Sequence, residues 1–301
     1  MLEKVLRDSM VHHLTANNLL SAAQHGFRKR KSCLSNLLCF LEEVTDRMDR
    51  GLHVEVCYLD FRKAFDAVNH RLLLRKLQAY GVETGTLNWI RAFLTGRTFH
   101  VSVEGSLSES APAISGVPQG SVLGPLLFLV YINDLVSQLR CPYYLFADDV
   151  KMVGDPGNQE LQEDLDRVYK WTQDWQLPIN IGKCQQLVLG GGNAPVRWLG
   201  TTQRQEIGRV ERVRDLGVLI TSDLKPTPQC LAAGRKAYGA LPQLRKAVVS
   251  RKEEVLLPLY KAYVRPHLEY AVQAWSLYLK KDKIHGKGSE GVHQNVPPNN
   301  P

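Results

Sequence analysis

The chain has 301 residues, 44% hydrophobic and 8% aromatic, and its 38 basic and 30 acidic side chains give a formal charge of +8. Such a composition supports a buried core and excludes a chain disordered over most of its length. No apolar run approaches the ~20 residues needed to cross a bilayer, and Met1-Leu2-Glu3-Lys4 opens no signal-peptide pattern, so the expectation is a soluble intracellular protein, nuclear or cytoplasmic, with no membrane partner.

The apolar spacing of Leu2, Val5, Leu6, Met10, Val11 and Leu14 predicts an amphipathic helix at the start. A cluster Arg28-Lys29-Arg30-Lys31 follows, then a second helix through Leu34, Leu37, Leu38, Leu41 and Val44. Val54 to Leu59 reads as a short buried strand that delivers Asp60 at its tip. Asn69 to Tyr80 returns to helix, with Gly81 placed to close it. Phe99 to Val103 alternates like a strand and turns at Glu104-Gly105. The loop from Gly116 to Gly120 feeds an apolar helix through Leu126, Leu127, Val130, Tyr131 and Leu135. Tyr143 to Phe146 and Val150 to Val153 form a hairpin with two acids, Asp148 and Asp149, at its bend. Leu161 to Trp175 is helical, Leu187 to Leu189 a strand, Gly190 to Gly192 a turn, and a helical basic piece begins after about Lys225. The order implies an α+β fold, and no internal repeat is visible.

Six cysteines lie far apart with no C-x-x-C and no His at zinc-finger spacing, which favours free thiols in a reducing compartment. Charge is uneven: from Arg197 to Lys283 there are 17 basic against 8 acidic side chains. Basic ends around an acidic centre suit a polyanion gripped from two sides. A merely solvated surface accounts for them equally well.

Three carboxylates, Asp60, Asp148 and Asp149, at buried strand ends would repel one another. Two Mg²⁺ ions remove that repulsion and suit in-line phosphoryl displacement. Acids without a His or Cys cluster fit Mg²⁺, with Mn²⁺ as a substitute, better than zinc. Spacing alone leaves open that the acids are only turn and strand-end residues.

Several segments together resemble the reverse transcriptases of non-LTR (LINE-type) retrotransposons, from about Leu2 to Lys281. Asp60-Phe61-Arg62-Lys63-Ala64-Phe65-Asp66 looks like their first palm motif, Gly116-Val117-Pro118-Gln119-Gly120-Ser121-Val122-Leu123-Gly124-Pro125 the second, and Phe146-Ala147-Asp148-Asp149 the third. Asn180 to Cys184 resembles the fourth, Gln24-His25-Gly26-Phe27-Arg28 the fingers motif, Leu216-Gly217 the primer grip, and Leu259 to His267 the thumb. The resemblance implies a right-hand polymerase with an antiparallel palm sheet packed on helices. Residues 1–50 would form partial fingers, 51–200 the palm with fingers insertions, 201–283 the end of the palm, primer grip and basic helical thumb. The last stretch, 284–301, reads as a disordered tail.

What the resemblance implies for the site can be written residue by residue. Asp60, Asp148 and Asp149 would hold the metals, and Lys183 would protonate the pyrophosphate leaving group. Phe65 takes the place of the gate that rejects a ribose 2′-OH. Gln119 and Gly120 would meet the template base or incoming nucleotide, and Arg28 the triphosphate. The implied partners are an RNA template, a DNA primer or target, and deoxynucleoside triphosphates, with the oligomeric state unspecified. Arg30 stands where the family places a glycine, and the chain enters in the middle of the fingers, as a piece of a larger element protein would. Other readings are an inactive nucleic-acid-binding remnant, an intron-type reverse transcriptase/maturase, an RNA-directed RNA polymerase, and a Mg²⁺ nuclease. An aromatic at Phe65 argues against the RNA polymerase, and no nuclease-like cluster accompanies the acids.

Overall fold

The computed structural model describes residues 1–200, 204–250 and 252–276, so the tail expected at 284–301 lies outside the described residues. Helix α1 (Leu2–Ala16) turns Met10 and Leu14 inward, and α2 (Cys33–Asp49) buries Leu37, Phe40 and Val44, three and four residues apart. Strand β1 (Val54–Leu59) ends where the sequence predicts, immediately before Asp60. Helix α3 (His70–Ala79) starts at Asn69, whose Oδ1 accepts a bond from the Leu72 N–H at 3.1 Å, and Gly81 follows its end at φ +77°.

The apolar pattern does not announce α4 (Thr84–Leu94). Only Ile90 and Leu94 of it are buried, and the threonines and glycine of Thr84-Gly85-Thr86 are poor helix formers. The single strand expected over Phe99–Val103 is broken into β2 (Thr98–Phe99) and β3 (Ser102–Val103), which pair with β5 (Ala111–Pro112) and β4 (Ser106–Leu107) respectively. The Glu104-Gly105 turn is where the sequence puts it, with both φ angles positive as a two-residue hairpin turn of this hand requires.

Helix α5 (Gly124–Ile132) buries every residue from Leu126 to Ile132, and then tightens into a 3₁₀ turn (Asn133–Gln138) that carries Leu135. Its N-terminal amides are met from α1: Glu3 Oε2 accepts from Val122 N at 2.9 Å and Leu123 N at 3.2 Å. The hairpin β6 (Tyr143–Phe146) and β7 (Asp149–Gly154) precedes α6 (Glu160–Asp174), a 3₁₀ turn (Ile181–Lys183) and β8 (Gln185–Leu189). Short strands β9 (Trp198–Leu199), β10 (Gln205–Glu206), β11 (Gly208–Val210), β12 (Arg212–Asp215) and β13 (Val218–Thr221) lead to helices α7 (Thr227–Ala247), α8 (Glu253–Tyr263) and α9 (Arg265–Glu269).

Two compact units interleave along the chain. One comprises Met1–Ser32, Val54–Gln186 and Asn193–Arg209, and the other Cys33–His53, Leu187–Gly192 and the described residues from Val210 on. In the first, β7 lies antiparallel between β1 and β6, with Leu59 opposite Val150 and Phe146 opposite Asp149. The other edge of β6 is extended by Ala23–His25, whose backbone exchanges bonds with Leu145. The β1–β7 and β6–β7 pairs are antiparallel, as expected, whereas the Gln24–Leu145 bridge on the β6 edge is parallel. Its core gathers Met10, Leu14, Leu73, Leu77, Leu127, Val130, Leu161, Leu165 and Val168, each burial of this kind contributing about 1.5–3 kcal/mol.

Several charged residues sit inside this unit against ordinary expectation, among them Lys76 and Arg197. Lys76 is buried, its Nζ 3.4 Å from the Trp175 ring centroid and 2.5 Å from Asp134 Oδ1, and burial lowers its pKa to about 8 although Asp134 opposes the shift. Arg197, counted with the basic surface by the sequence, is 1% exposed and grips Glu55 through two 2.8 Å bonds, with Gln186 Nε2 donating to the same carboxylate at 2.7 Å.

The second unit centres on Ala237 and Val264, packed by Leu241, Leu244, Tyr260 and Leu268. Within it the β12–β13 hairpin turns at Leu216-Gly217, both at positive φ, and Tyr270 Oη donates to the Leu216 carbonyl at 2.8 Å. No disulfide joins the six cysteines, of which Cys57, Cys141 and Cys184 are buried. Among the described residues no helix is long and apolar enough to cross a membrane.

Candidate active site

Asp60 and Asp148 meet because the register of β1 and β7 brings their strand ends side by side. Leu59 pairs with Val150, so Asp60 leaves β1 beside the turn from which β7 starts. The hairpin has two central residues, Ala147 and Asp148, while Asp149 is the first residue of β7 and is exposed. The bend therefore carries one acid, and the second belongs to the strand.

Burial holds the Asp148 carboxyl above the ordinary carboxylate range, against a hydrogen bond from its own backbone N–H, and the neighbouring charge of Asp60 raises it further. Among the described residues, neither Asp60 nor Asp148 has a basic side chain paired to it. Two carboxylates at neighbouring strand ends, close enough for the charge of Asp60 to act on Asp148 and without a basic partner, offer oxygen donors of the kind a hard divalent cation takes. Among the described residues no three His, Cys, Asp or Glu side chains gather into a ready-made cage. A cation here would complete its shell with water and substrate oxygens, the usual habit of Mg²⁺.

The backbone around Asp60 is locked by the segment from Pro178 to Cys184. Arg62 N donates to Pro178 O at 2.8 Å, Phe61 bridges Ile179, and Asn180 N donates to Asp60 O at 2.7 Å. Cys184 lies against Asp60, its thiol pushed up to about 11 by burial, with the Asp60 amide lowering it and the Asp60 charge raising it. Lys183 sits on the 3₁₀ turn of this segment with its side chain exposed.

The second loop is built onto the stretch that follows Asp60. Gly116 N donates to Val68 O and Val117 N to Phe65 O, both at 2.8 Å, and Ser115 Oγ donates to Asp66 O at 2.8 Å. A Cβ on Gly116 would stand 2.7 Å from both Asp66 Cα and Asp66 O, and φ is +81°, so only glycine fits. Gln119 is exposed, its Nε2 donating to Asp66 Oδ1 at 3.0 Å, and Gly120 also has φ +81° with open space around it. Phe65 is half-buried between Phe128, stacked at 4.2 Å between centroids, and Phe27, edge-on at 6.0 Å. Asp66 thus ties Gln119 to the stretch that carries Phe65, and Val117 N bonds the same loop to Phe65 O.

Arg28 is half-buried and donates to the Ser21 carbonyl at 3.0 Å. It also stands with Lys31 and Lys151 around His25, whose pKa falls to about 4 through burial first and those cations next. Arg30, the residue at the expected glycine position, adopts φ +62°, a left-handed conformation that glycine takes without strain.

Gln24 and Gly26, named in the sequence only as part of a fingers-like motif, hold the hairpin tip, a role the sequence did not assign. Gln24 Oε1 accepts from Ala147 N at 2.8 Å and Gly26 N at 2.7 Å, and Gln24 Nε2 donates to Ala147 O at 3.2 Å. Gly26 approaches so closely that a Cβ there would lie 2.3 Å from Ala147 N. A polar residue two places before a glycine is too common a pattern to have flagged this.

Comparison with known proteins bears on the family and the fold. A family model described as reverse transcriptase (RNA-dependent DNA polymerase) matches residues 1–203. A probable RNA-directed DNA polymerase from transposon BS of Drosophila melanogaster is 27% identical over 93% of this chain and 33% of its own length. The RNA-directed DNA polymerase from mobile element jockey of Drosophila funebris is 25% identical over 92% of this chain and 32% of its own. The chain thus spans about a third of the length of these curated relatives. Telomerase from Candida albicans, solved in complex with a TWJ fragment of telomeric RNA, superposes with TM-score 0.54 at 10% identity, covering 100% of this chain and 59% of that one. Apo telomerase from Candida tropicalis, truncated from the C-terminal domain, gives 0.53 at 12% identity over 73% and 44%. At such identity the structural likeness speaks for the fold alone.

Proposed function

The chain belongs to the reverse transcriptase (RNA-dependent DNA polymerase) family, and from that premise we propose that it extends a primer 3′-OH with deoxynucleotides on an RNA template, as part of a non-LTR retrotransposon protein. The observation that carries the reading is the Asp60–Asp148 pair: two unneutralised carboxylates at neighbouring strand ends, inside the matched region. In this reading Asp60 and Asp148 hold two Mg²⁺ ions, with Asp149 alongside. When bound, the ions activate the attacking hydroxyl and neutralise the leaving pyrophosphate. The half-buried Phe65 ring closes the space beside C2′ of the sugar, so a ribose hydroxyl would meet carbon and find no hydrogen-bond partner. Gln119, held by Asp66, presents its amide to the template base or incoming nucleotide. Arg28 moves from the Ser21 carbonyl to the triphosphate, and Lys183 donates a proton to the departing pyrophosphate.

The fingers, palm and thumb assignment belongs to the same proposal. Residues 1–50 are assigned to the fingers, 51–200 to the palm with fingers insertions, and the described residues of 204–276 to the end of the palm, primer grip and basic helical thumb. The partners are an RNA template, a DNA primer or target, and deoxynucleoside triphosphates. The reading this must be separated from is a chain of the same family that binds nucleic acid without catalysis. Primer extension on poly(A)/oligo(dT) with Mg²⁺ separates the two. Wild type is expected to extend and Asp148→Ala to lose at least about 10³-fold, as when a group central to charge stabilisation is removed. Equal extension by both proteins would sink the polymerase reading in favour of the binding remnant.

A further inference from the structure

We propose that Gln24 is a positioning residue, whose side-chain amide holds the Ala147 turn in its left-handed conformation and thereby fixes where Asp148 stands. The inference rests on the polymerase reading of the acidic site and deepens it.

A two-residue hairpin loop whose first central residue has positive φ is normally occupied by glycine there. Here the residue is alanine, at φ +55°. An L residue in that conformation is strained, and such strain persists only where the surroundings over-determine it. Gln24 supplies the surroundings. Its amide takes both polar groups of the Ala147 backbone, Oε1 accepting from N at 2.8 Å and Nε2 donating to the carbonyl at 3.2 Å. The glutamine is 5% exposed and its own position is fixed twice. Its Oε1 also accepts from Gly26 N, and the backbone on either side is bonded to β6 through Ala23 O and His25 N. Gly26 then closes on Ala147 with no room for a methyl group. Ala147 is itself 5% exposed and belongs to the core, so the turn can neither swing outward nor relax inward. The residue immediately after the clamped peptide is Asp148.

The clamp predicts a specific coupling. Glycine at 147 tolerates positive φ unaided, so Ala147→Gly should matter little when Gln24 is present and restore the turn when it is absent. Gln24→Met keeps length and volume but removes the amide. Three measurements on the full chain read the coupling: amide hydrogen exchange at Ala147, Mn²⁺ binding followed by its EPR signal, and kcat against KM in primer extension. Gln24→Met is expected to unprotect the Ala147 amide, weaken Mn²⁺ binding, and cut kcat about 10- to 100-fold with little change in KM, the size of effect a small misplacement of a reacting group produces. Adding Ala147→Gly should recover most of the Mn²⁺ affinity and kcat.

An Ala147 amide that exchanges freely in the wild type overturns the clamp without any variant, including the case in which Gln24→Met fails to fold. A gain from Ala147→Gly that is equal with and without Gln24 overturns it too. A wild-type chain that binds Mn²⁺ but extends no primer would remove the polymerase reading instead, and the exchange and Mn²⁺ measurements would still decide the role of Gln24.

Discussion

The loop from Gly116 to Gly120 and the turn at Ala147-Asp148 solve one geometric problem by opposite means. Both need backbone at positive φ next to a candidate functional side chain. The loop uses glycines, at +81° in both places, and is tied down by bonds to residues 65–68. The turn uses a buried alanine and a side-chain clamp. Glycine removes the strain but leaves the unfolded chain more freedom to lose. Alanine keeps the strain, of order 1–2 kcal/mol, and contributes a methyl group that anchors the turn in the core. The loop carries an exposed side chain, Gln119, proposed to meet the template base or incoming nucleotide. The turn carries Asp148, whose placement beside Asp60 would set the proposed metal site. The more demanding position has the more constrained backbone.

Substitutions that exchange the two solutions would break or sharpen this contrast. Gly116→Ala should be the most damaging of them. It combines a disfavoured φ with a clash against Asp66 backbone, and a loss of roughly 2–5 kcal/mol is expected in denaturant unfolding. Gly26→Ala tests the turn from the other side, because the added methyl meets Ala147 N. About 1–3 kcal/mol of stability should go, together with extension activity, since the hairpin tip must move. Gly120→Ala has open space and meets only the φ penalty, about 1–2 kcal/mol. If Gly120→Ala cost as much as Gly116→Ala in the same urea titration, close approach would not be what distinguishes them.

Smaller effects probe the acids and the proposed role of Phe65. Asp148 has its pKa raised in the folded state, so folding is favoured by its proton. That contribution is complete below the ordinary carboxylate range and is lost as pH rises through the raised value. Asp148→Asn should therefore raise Tm at neutral pH while abolishing extension, and the gain in Tm should vanish in acid. A Tm gain that stayed constant down to pH 3 would mean that neither burial nor Asp60 was penalising the charge. Phe65→Val removes the ring stacked on Phe128 and should raise ribonucleotide incorporation relative to deoxynucleotide by about tenfold, the equivalent of ~1.4 kcal/mol. Unchanged sugar selectivity in a competition assay would take Phe65 out of the site.

Much of the frame was legible because local pattern and tertiary role agreed. The run Val54 to Leu59 is β-rich and buried on both sides, and it ended as predicted at Asp60. The Asn69 cap and the Gly81 stop bounded α3 with chemistry that acts within one turn. Where burial came from distant partners, the pattern failed. Helix α4 has two inward residues, too few to set a period, and the broken strand at His100-Val101 lies on an exposed ribbon that no core disciplines. Arg197 counts with the basic excess, and nothing local to it or to Lys76 reveals the Glu55 carboxylate or the Trp175 ring. Removing either partner of the buried Arg197–Glu55 pair would leave a charge uncompensated, a loss of about 3–5 kcal/mol.

The sequence by itself determined the chemistry available: which acids, which aromatic, which glutamine and which glycines stand in what order, since those follow from residue types and short-range spacing. Only the tertiary structure decided their relations. It put Asp60 beside Asp148 through the β1–β7 register, left Asp149 on the strand instead of at the bend, hung the Gly116–Gly120 loop on Asp66, and set Gln24 under Ala147. These contacts join residues 49 to 123 positions apart. Spacing along the chain carries no signal for such pairs, because it is the packing of the whole core that brings them together.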